Sequence, residues 1–192
     1  MNNLANKIKQ EMSMHDFIKT AYPALVEWGV EDQDVMIHSL GVSCWNTLGY
    51  KLGYMSVAEC PAPFPDVPGD DIRSDSVWFD KQTRDPLVVV EFERYDGTGK
   101  GKKKLYEKTE NLFEASERWG RVPHLLILSS WSCGMVSAPD HKKMVKEIRK
   151  GFKNRKGAFV PVSTGAQFLF SRFCFQPSQG NKLKLDRIIF ED

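Results

Sequence analysis

The sequence predicts a mixed α/β protein: one central sheet with helices packed on both of its sides. Two apolar runs carry that expectation, Leu87-Val88-Val89-Val90 and PHLLILSS from Pro123, because neither has a polar face and each fits a strand covered above and below. Segments of helical period separate the strand-like runs, and strands joined by crossover helices build a sheet with parallel neighbours.

At 192 residues the chain fits a single domain, 1–192, with a helical N-terminal part (1–52), a core that carries the chemistry (53–135) and a basic C-terminal part (136–192). No apolar run approaches the roughly 18 residues of a membrane helix. The start MNNLANKIKQ has no secretory apolar segment, so a cytoplasmic protein without membrane contact is expected. Cys44, Cys60, Cys133 and Cys174 form no C-x-x-C pair and read as reduced thiols.

Taken in order, Leu4, Ile8, Met12, Ile18, Ala21, Tyr22, Leu25 and Trp28 follow helical spacing, with Pro23 and Gly29 as interruption and stop. A second helix opens at Asp34, a candidate cap, and Val35, Met36, Leu40, Cys44 and Leu48 trace its expected inner face up to Gly49 and Gly53. YMSVAEC reads as a strand bearing Glu59, and the proline-rich PAPFPDVPGDD as loop. A hairpin follows, then the loop DGTGKGKKK and a helix to Trp119 with Leu105 and Leu112 on its packed face. That loop lacks the G-x-x-x-x-G-K-[ST] spacing of a phosphate-binding P-loop. After PHLLILSS, Asp140 opens a basic helix whose inner face is Met144, Ile148 and Phe152. AFVPVST and AQFLFSRFCF read as a further hairpin, and KLKLDRIIF as an edge strand.

The chemistry concentrates in the hairpin from Asp75 to Tyr95. Glu91 and Glu93 continue the apolar run Leu87–Val90 and share one face of their strand, where two carboxylates need a cation or a shared proton. If Asp80 opposes Pro86 across the turn KQTRD, partner numbers sum to 166 and Asp75 opposes Glu91. Directly opposed side chains lie on one face about 5 Å apart. Asp75, Glu91 and Glu93 would then converge, while Asp80 would lie on the order of 16 Å away. Three oxygen donors suit a hard divalent ion, Mg²⁺ or Mn²⁺.

Charge is polarised along the chain. Residues 1–96 hold 8 Lys and Arg against 16 Asp and Glu, whereas residues 97–192 hold 19 against 9. A basic half behind an acidic site fits a polyanionic partner. Lys100, Lys102 and Lys103, and the tract Lys142, Lys143, Lys146, Arg149, Lys153 and Arg155, are the candidate nucleic-acid contacts. His38 and His124 have no second histidine at ligand spacing and read as structural.

The order helix, three strands, helix, strand, with Ser74-Asp75 on the second strand and Glu91-Phe92-Glu93 ending the third, resembles the PD-(D/E)XK, or restriction-endonuclease-like, phosphodiesterase superfamily. The resemblance spans the second helix to Ser130. It implies an αβββαβ core in which Asp75 and Glu91 bind Mg²⁺, with Glu59 as a supporting acid and ligand. It implies a Mg²⁺-dependent endonuclease acting on DNA, RNA not being excluded, and homodimers are common among such enzymes. Glu93 stands where most members place a lysine; some restriction enzymes have E-x-E there and still cut. Lys104 and Lys108 on the next helix are the nearest lysines to serve in its place, so the catalytic set reads Asp75, Glu91, Glu93, Lys104 and Lys108. The alternative is a catalytically silent nuclease-like module that binds nucleic acid or a protein.

Overall fold

The structure, a computed structural model, describes residues 2–13, 16–64 and 71–191. Residues 65–70, most of the expected proline-rich loop, lie outside the described residues. The elements run α1 (Asn2–Ser13), α2 (Asp16–Ala21), β1 (Val30–Glu31), α3 (Asp34–Lys51), β2 (Met55–Pro61), β3 (Arg73–Phe79), β4 (Pro86–Arg94), α4 (Gly99–Arg118), β5 (Leu125–Cys133), α5 (His141–Ile148), β6 (Phe152–Lys153), β7 (Phe159–Val160), β8 (Gln167–Ser178) and β9 (Lys182–Glu191). A π-helical turn, Ala24–Trp28, follows Pro23 and stops at Gly29, whose φ of 76° favours glycine.

Seven strands form one mixed sheet in the order β1-β9-β8-β5-β4-β3-β2. β4, β5 and β8 are parallel neighbours, while β2, β3 and β4 pair antiparallel, as do β8 and β9. The protein is therefore a mixed α/β fold, as expected. β4 is covered on both sides: Val88, Val90 and Phe92 face a core shared with α1 and α3, and Val89 faces a second core built on α4 and α5. Among the described residues no helix is long and apolar enough to cross a membrane. All four cysteines are free.

Four local expectations are corrected. The inner face of α3 is Ile37, Gly41, Cys44, Trp45 and Leu48; Val35 and Met36 are exposed, because Gly41 and Gly49 bring the helix backbone against Phe92 and Trp78 and set its rotation. Gln33, without a side-chain cap, precedes this helix, and Asp34 instead pairs with Arg94. AFVPVST does not pair with AQFLFSRFCF: Phe159–Val160 pair with Phe152–Lys153, and β8 makes its hairpin with β9 while lying parallel to β5. Finally, the lysines after Gly99 belong to the first turns of α4, where Thr98 caps by accepting the Gly101 N–H at 3.1 Å.

The hairpin register follows the sum of 166 at Ser76↔Val90, Val77↔Val89 and Trp78↔Val88, then shifts so that Phe79, not Asp80, opposes Pro86. Asp80 has joined the turn. Its carboxylate accepts the N–H groups of Gln82 and Thr83 at 2.7 and 2.8 Å, a local bond that competes with strand pairing.

Candidate active site

The sheet opens where the acids begin. β3 stays paired with β2 as far as Arg73, and β4 with β5 as far as Arg94, yet the last pair between β3 and β4 is Ser76↔Val90. Asp75 fills the opening: its Oδ2 accepts the Phe92 N–H at 2.6 Å, so a side chain takes over where the main-chain ladder stops. This bond satisfies a buried donor and fixes the carboxylate beside Glu91.

Two helices close on that point from opposite sides of the sheet. From α4, Lys108 Nζ lies 2.6 Å from Glu91 Oε2 and 3.7 Å from Asp75 Oδ1. From α3, His38 Nε2 lies 3.6 Å from Asp75 Oδ2, its ring edge against Phe92. Asn46 anchors α3, its side chain accepting the Ser76 hydroxyl at 2.9 Å and its carbonyl the Ser56 hydroxyl at 2.6 Å. His38, which reads from the sequence as structural, lies against the acid cluster. No local signal places it there, because its position depends on where α3 crosses the sheet.

Burial sets the electrostatics. Glu91 is fully buried, and Asp75 is 4% exposed. Burial, reinforced by the neighbouring Asp75, pushes the Glu91 carboxyl well above the usual carboxylate range against the opposing pull of Lys108. Asp75 behaves differently. Burial raises it, but the contact with His38, the Lys108 charge and the Phe92 N–H outweigh that and hold it below its ordinary value. The nearby Asp75 carboxylate raises His38 despite partial burial, and the two carboxylates raise Lys108 despite its own desolvation. Among the described residues, Glu91 Oε1 is buried and has no hydrogen-bond partner. Two ionised carboxylates cannot bond each other, so this oxygen calls for a proton on Glu91 shared with Asp75, or for a cation.

Comparison with family models, with curated proteins and with solved structures finds no match for the chain. The site therefore rests on its own geometry.

The other candidates divide. Glu93 does not join Lys108: its Oε1 accepts the next residue's N–H at 2.8 Å and lies 3.4 Å from Lys104. Glu59 falls between the pairs Ala58↔Ser76 and Cys60↔Ser74, opposite Asp75, but it is exposed, outside the ladder, at a φ of 49°. Lys100, Lys102 and Lys103 are exposed on α4, as are Lys142, Lys143 and Lys146 on α5 and Lys153 on β6. Arg149 serves the scaffold: it donates to the carbonyls of Thr164 and Ala166 at 3.2 and 2.9 Å and covers the Phe113 ring. Arg155 lies 3.7 Å from Glu107. Arg94, not foreseen, stacks over Trp131 beside the acids.

Among the described residues no three His, Cys, Asp or Glu side chains form a ready-made metal cage. The donor chemistry nevertheless fits a hard divalent ion: one or two carboxylates hold Mg²⁺ while water and substrate phosphate supply its other ligands, and Glu91 Oε1 is the oxygen left without a partner.

Proposed function

We propose that this chain is a metal-dependent nuclease that hydrolyses phosphodiester bonds in DNA, a variant of the restriction-endonuclease-like phosphodiesterases with E-x-E in place of E-x-K. The observation that carries the reading is Lys108, which brings an ammonium to Glu91 and Asp75 from the helix that follows the E-x-E strand. The charge that Glu93 removes from the strand is thus returned from α4. The order α3, β2, β3, β4, α4, β5 supports the same reading.

Asp75 and Glu91 would hold the Mg²⁺ or Mn²⁺ ion, which when bound polarises a phosphoryl oxygen and lowers the pKa of a water. The Phe92 N–H orients Asp75, so the carboxylate is set before substrate arrives. Lys108 balances the buried acids and presents positive charge to a phosphoryl group at the opening of the sheet. His38, on the opposite side of Asp75, holds that carboxylate ionised.

Supercoiled plasmid incubated with the protein and Mg²⁺ or Mn²⁺ should be nicked or linearised. Glu91→Gln and Lys108→Met should each abolish cutting by 10²-fold or more, the usual scale for losing a charge-stabilising group. Cutting that persists unchanged in Glu91→Gln would overturn the assignment. The same Lys108 contact also favours a second reading, a silent nuclease-like module whose acids are permanently neutralised. A salt-dependent gel shift without any cleavage would select it.

A further inference from the structure

The acids of β4 and the lysines of α4 form two rows in step. Glu91 and Glu93 are two residues apart, about 6.6 Å at strand rise. Lys100, Lys104 and Lys108 are four residues apart, about 6 Å at helix rise, and lie along one flank of α4. Glu91 meets Lys108 at 2.6 Å and Glu93 meets Lys104 at 3.4 Å, so the rows run antiparallel. Lys100 stands one step beyond the last acid. Lys103, in contrast, turns outward to Glu107 at 3.8 Å.

Hollows follow the lysine row. Lys100 and Lys104 line a cavity of about 260 Å³ with Asp34 and Arg94. A second, of about 240 Å³, shares Lys104, Asp34 and Arg94 with the first and reaches His38 and Glu93. Lys108 then borders a third, of about 390 Å³, whose charges are mixed: Arg73 pairs there with Asp71 and Arg155 with Glu107.

We propose that Lys100, Lys104 and Lys108 form a rail for the sugar-phosphate backbone of one nucleic-acid strand, leading successive phosphates along α4 into the Asp75–Glu91 site. The spacing of the lysines is close to that of adjacent phosphates on an extended strand, and the first two hollows, which share Asp34, Arg94 and Lys104, give the strand a bed as far as Glu93. The rail reads phosphate and therefore carries no sequence preference. It rests on the nuclease reading, and it makes the position of a lysine on α4, not the sum of lysines there, decide affinity.

The test uses the full chain carrying Glu91→Gln, in EDTA, with fluorescein-labelled single-stranded DNA, single-stranded RNA and duplex DNA followed by anisotropy across a salt series. With every probe that binds, Lys100→Ala with Lys104→Ala should flatten the plot of log affinity against log salt. For single strands the loss is about 0.7 per contact, which near 0.1 M salt is a roughly ten- to thirtyfold weaker complex. Lys102→Ala with Lys103→Ala, which removes the same charge from the same turns, should lower the slope by less than half as much. Equal losses from both pairs, or none from either, would overturn the rail. If no probe binds the Glu91→Gln chain at any salt, the nucleic-acid reading falls with it. If the unsubstituted chain cuts DNA while the Lys100/Lys104 pair binds normally, the rail alone falls.

Discussion

Lys108 Nζ stands 2.6 Å from Glu91 Oε2, and this contact sets one buried carboxyl against one ammonium that keeps some access to water. Removing one partner of a buried pair destabilises by about 3–5 kcal/mol when the other stays charged. Lys108 is 23% exposed, and Glu91, already raised by burial, can take a proton, so Lys108→Met should lose less, about 1–3 kcal/mol. The loss should be larger at pH 8 than at pH 5. A carboxyl raised in the folded state binds more protons there than in the unfolded chain, so its charge is avoided at low pH and penalised as pH rises. Urea denaturation at the two pH values measures this, and an identical loss at both would show that Glu91 does not take the proton.

His38 and Asp75 make opposite contributions on the pH axis. Asp75 is held below its ordinary value, so its stabilisation is full above the unfolded carboxylate range and fades as pH falls through the lower folded value. His38 is raised, so its stabilisation is full below the unfolded value near 6.5 and fades as pH rises through the folded one. In metal-free buffer, His38→Gln should therefore destabilise at pH 5.5 and converge on the unsubstituted chain at alkaline pH. Asp75→Asn should destabilise at pH 7 and converge on the unsubstituted chain as pH falls through the lowered folded value. Thermal or urea midpoints across pH would show the two trends, and parallel curves for His38→Gln would exclude its pairing with Asp75.

Gly41 is the position where α3 touches the strand beneath the site. A Cβ there would meet the Phe92 ring at 2.2 Å, and Phe92 carries the N–H that orients Asp75. Overpacking of this kind costs typically 1–3 kcal/mol. Gly41→Ala should fall in that range by urea denaturation and also weaken the site, whereas Gly165→Ala, with open space at its Cβ and no left-handed φ, should stay within about 0.5 kcal/mol of the parent. Equal stability of the two variants would mean that α3 moves freely over Phe92.

What the sequence made legible follows from how local each interaction is. The run Val88–Val90 announces a strand covered on both faces because it has no polar side to offer, and Glu91 stands out against it for the same reason. The register near Val77 was legible as the sum of 166, although the Asp80–Pro86 pair that set that sum does not form. The turn was not, because Asp80 caps Gln82 and Thr83 and draws itself out of the strand. Nearness in the chain offered Lys104 and Lys108 as candidates to stand in for the family's lysine, but only the docking of α4 decides that Lys108 meets Glu91 and Lys104 meets Glu93. His38 and the parallel neighbour β8 were out of reach, since each depends on a contact between segments far apart in the chain.

Glu91 and Glu93 share a strand face yet should differ sharply in function. Among the described residues, Glu91 is fully buried, with one oxygen on Lys108 and one without a partner, so the nuclease reading assigns it to the reacting centre. Glu93 keeps partial contact with water, bonds its neighbour's N–H and faces Lys104, an arrangement that spaces the lysine row without touching Asp75. Under the nuclease reading, Glu93→Gln should therefore lower single-turnover cleavage by about tenfold at most, the scale of about 1.4 kcal/mol. Glu91→Gln should remove 10²-fold or more. Because Glu93→Gln frees Lys104 for phosphate, the variant should also bind a labelled strand slightly tighter and with a steeper salt dependence than the parent. Cleavage measured with Mg²⁺ and binding measured in EDTA separate these effects. Loss of cutting in Glu93→Gln as deep as in Glu91→Gln would move Glu93 into the reacting centre and out of the lysine row.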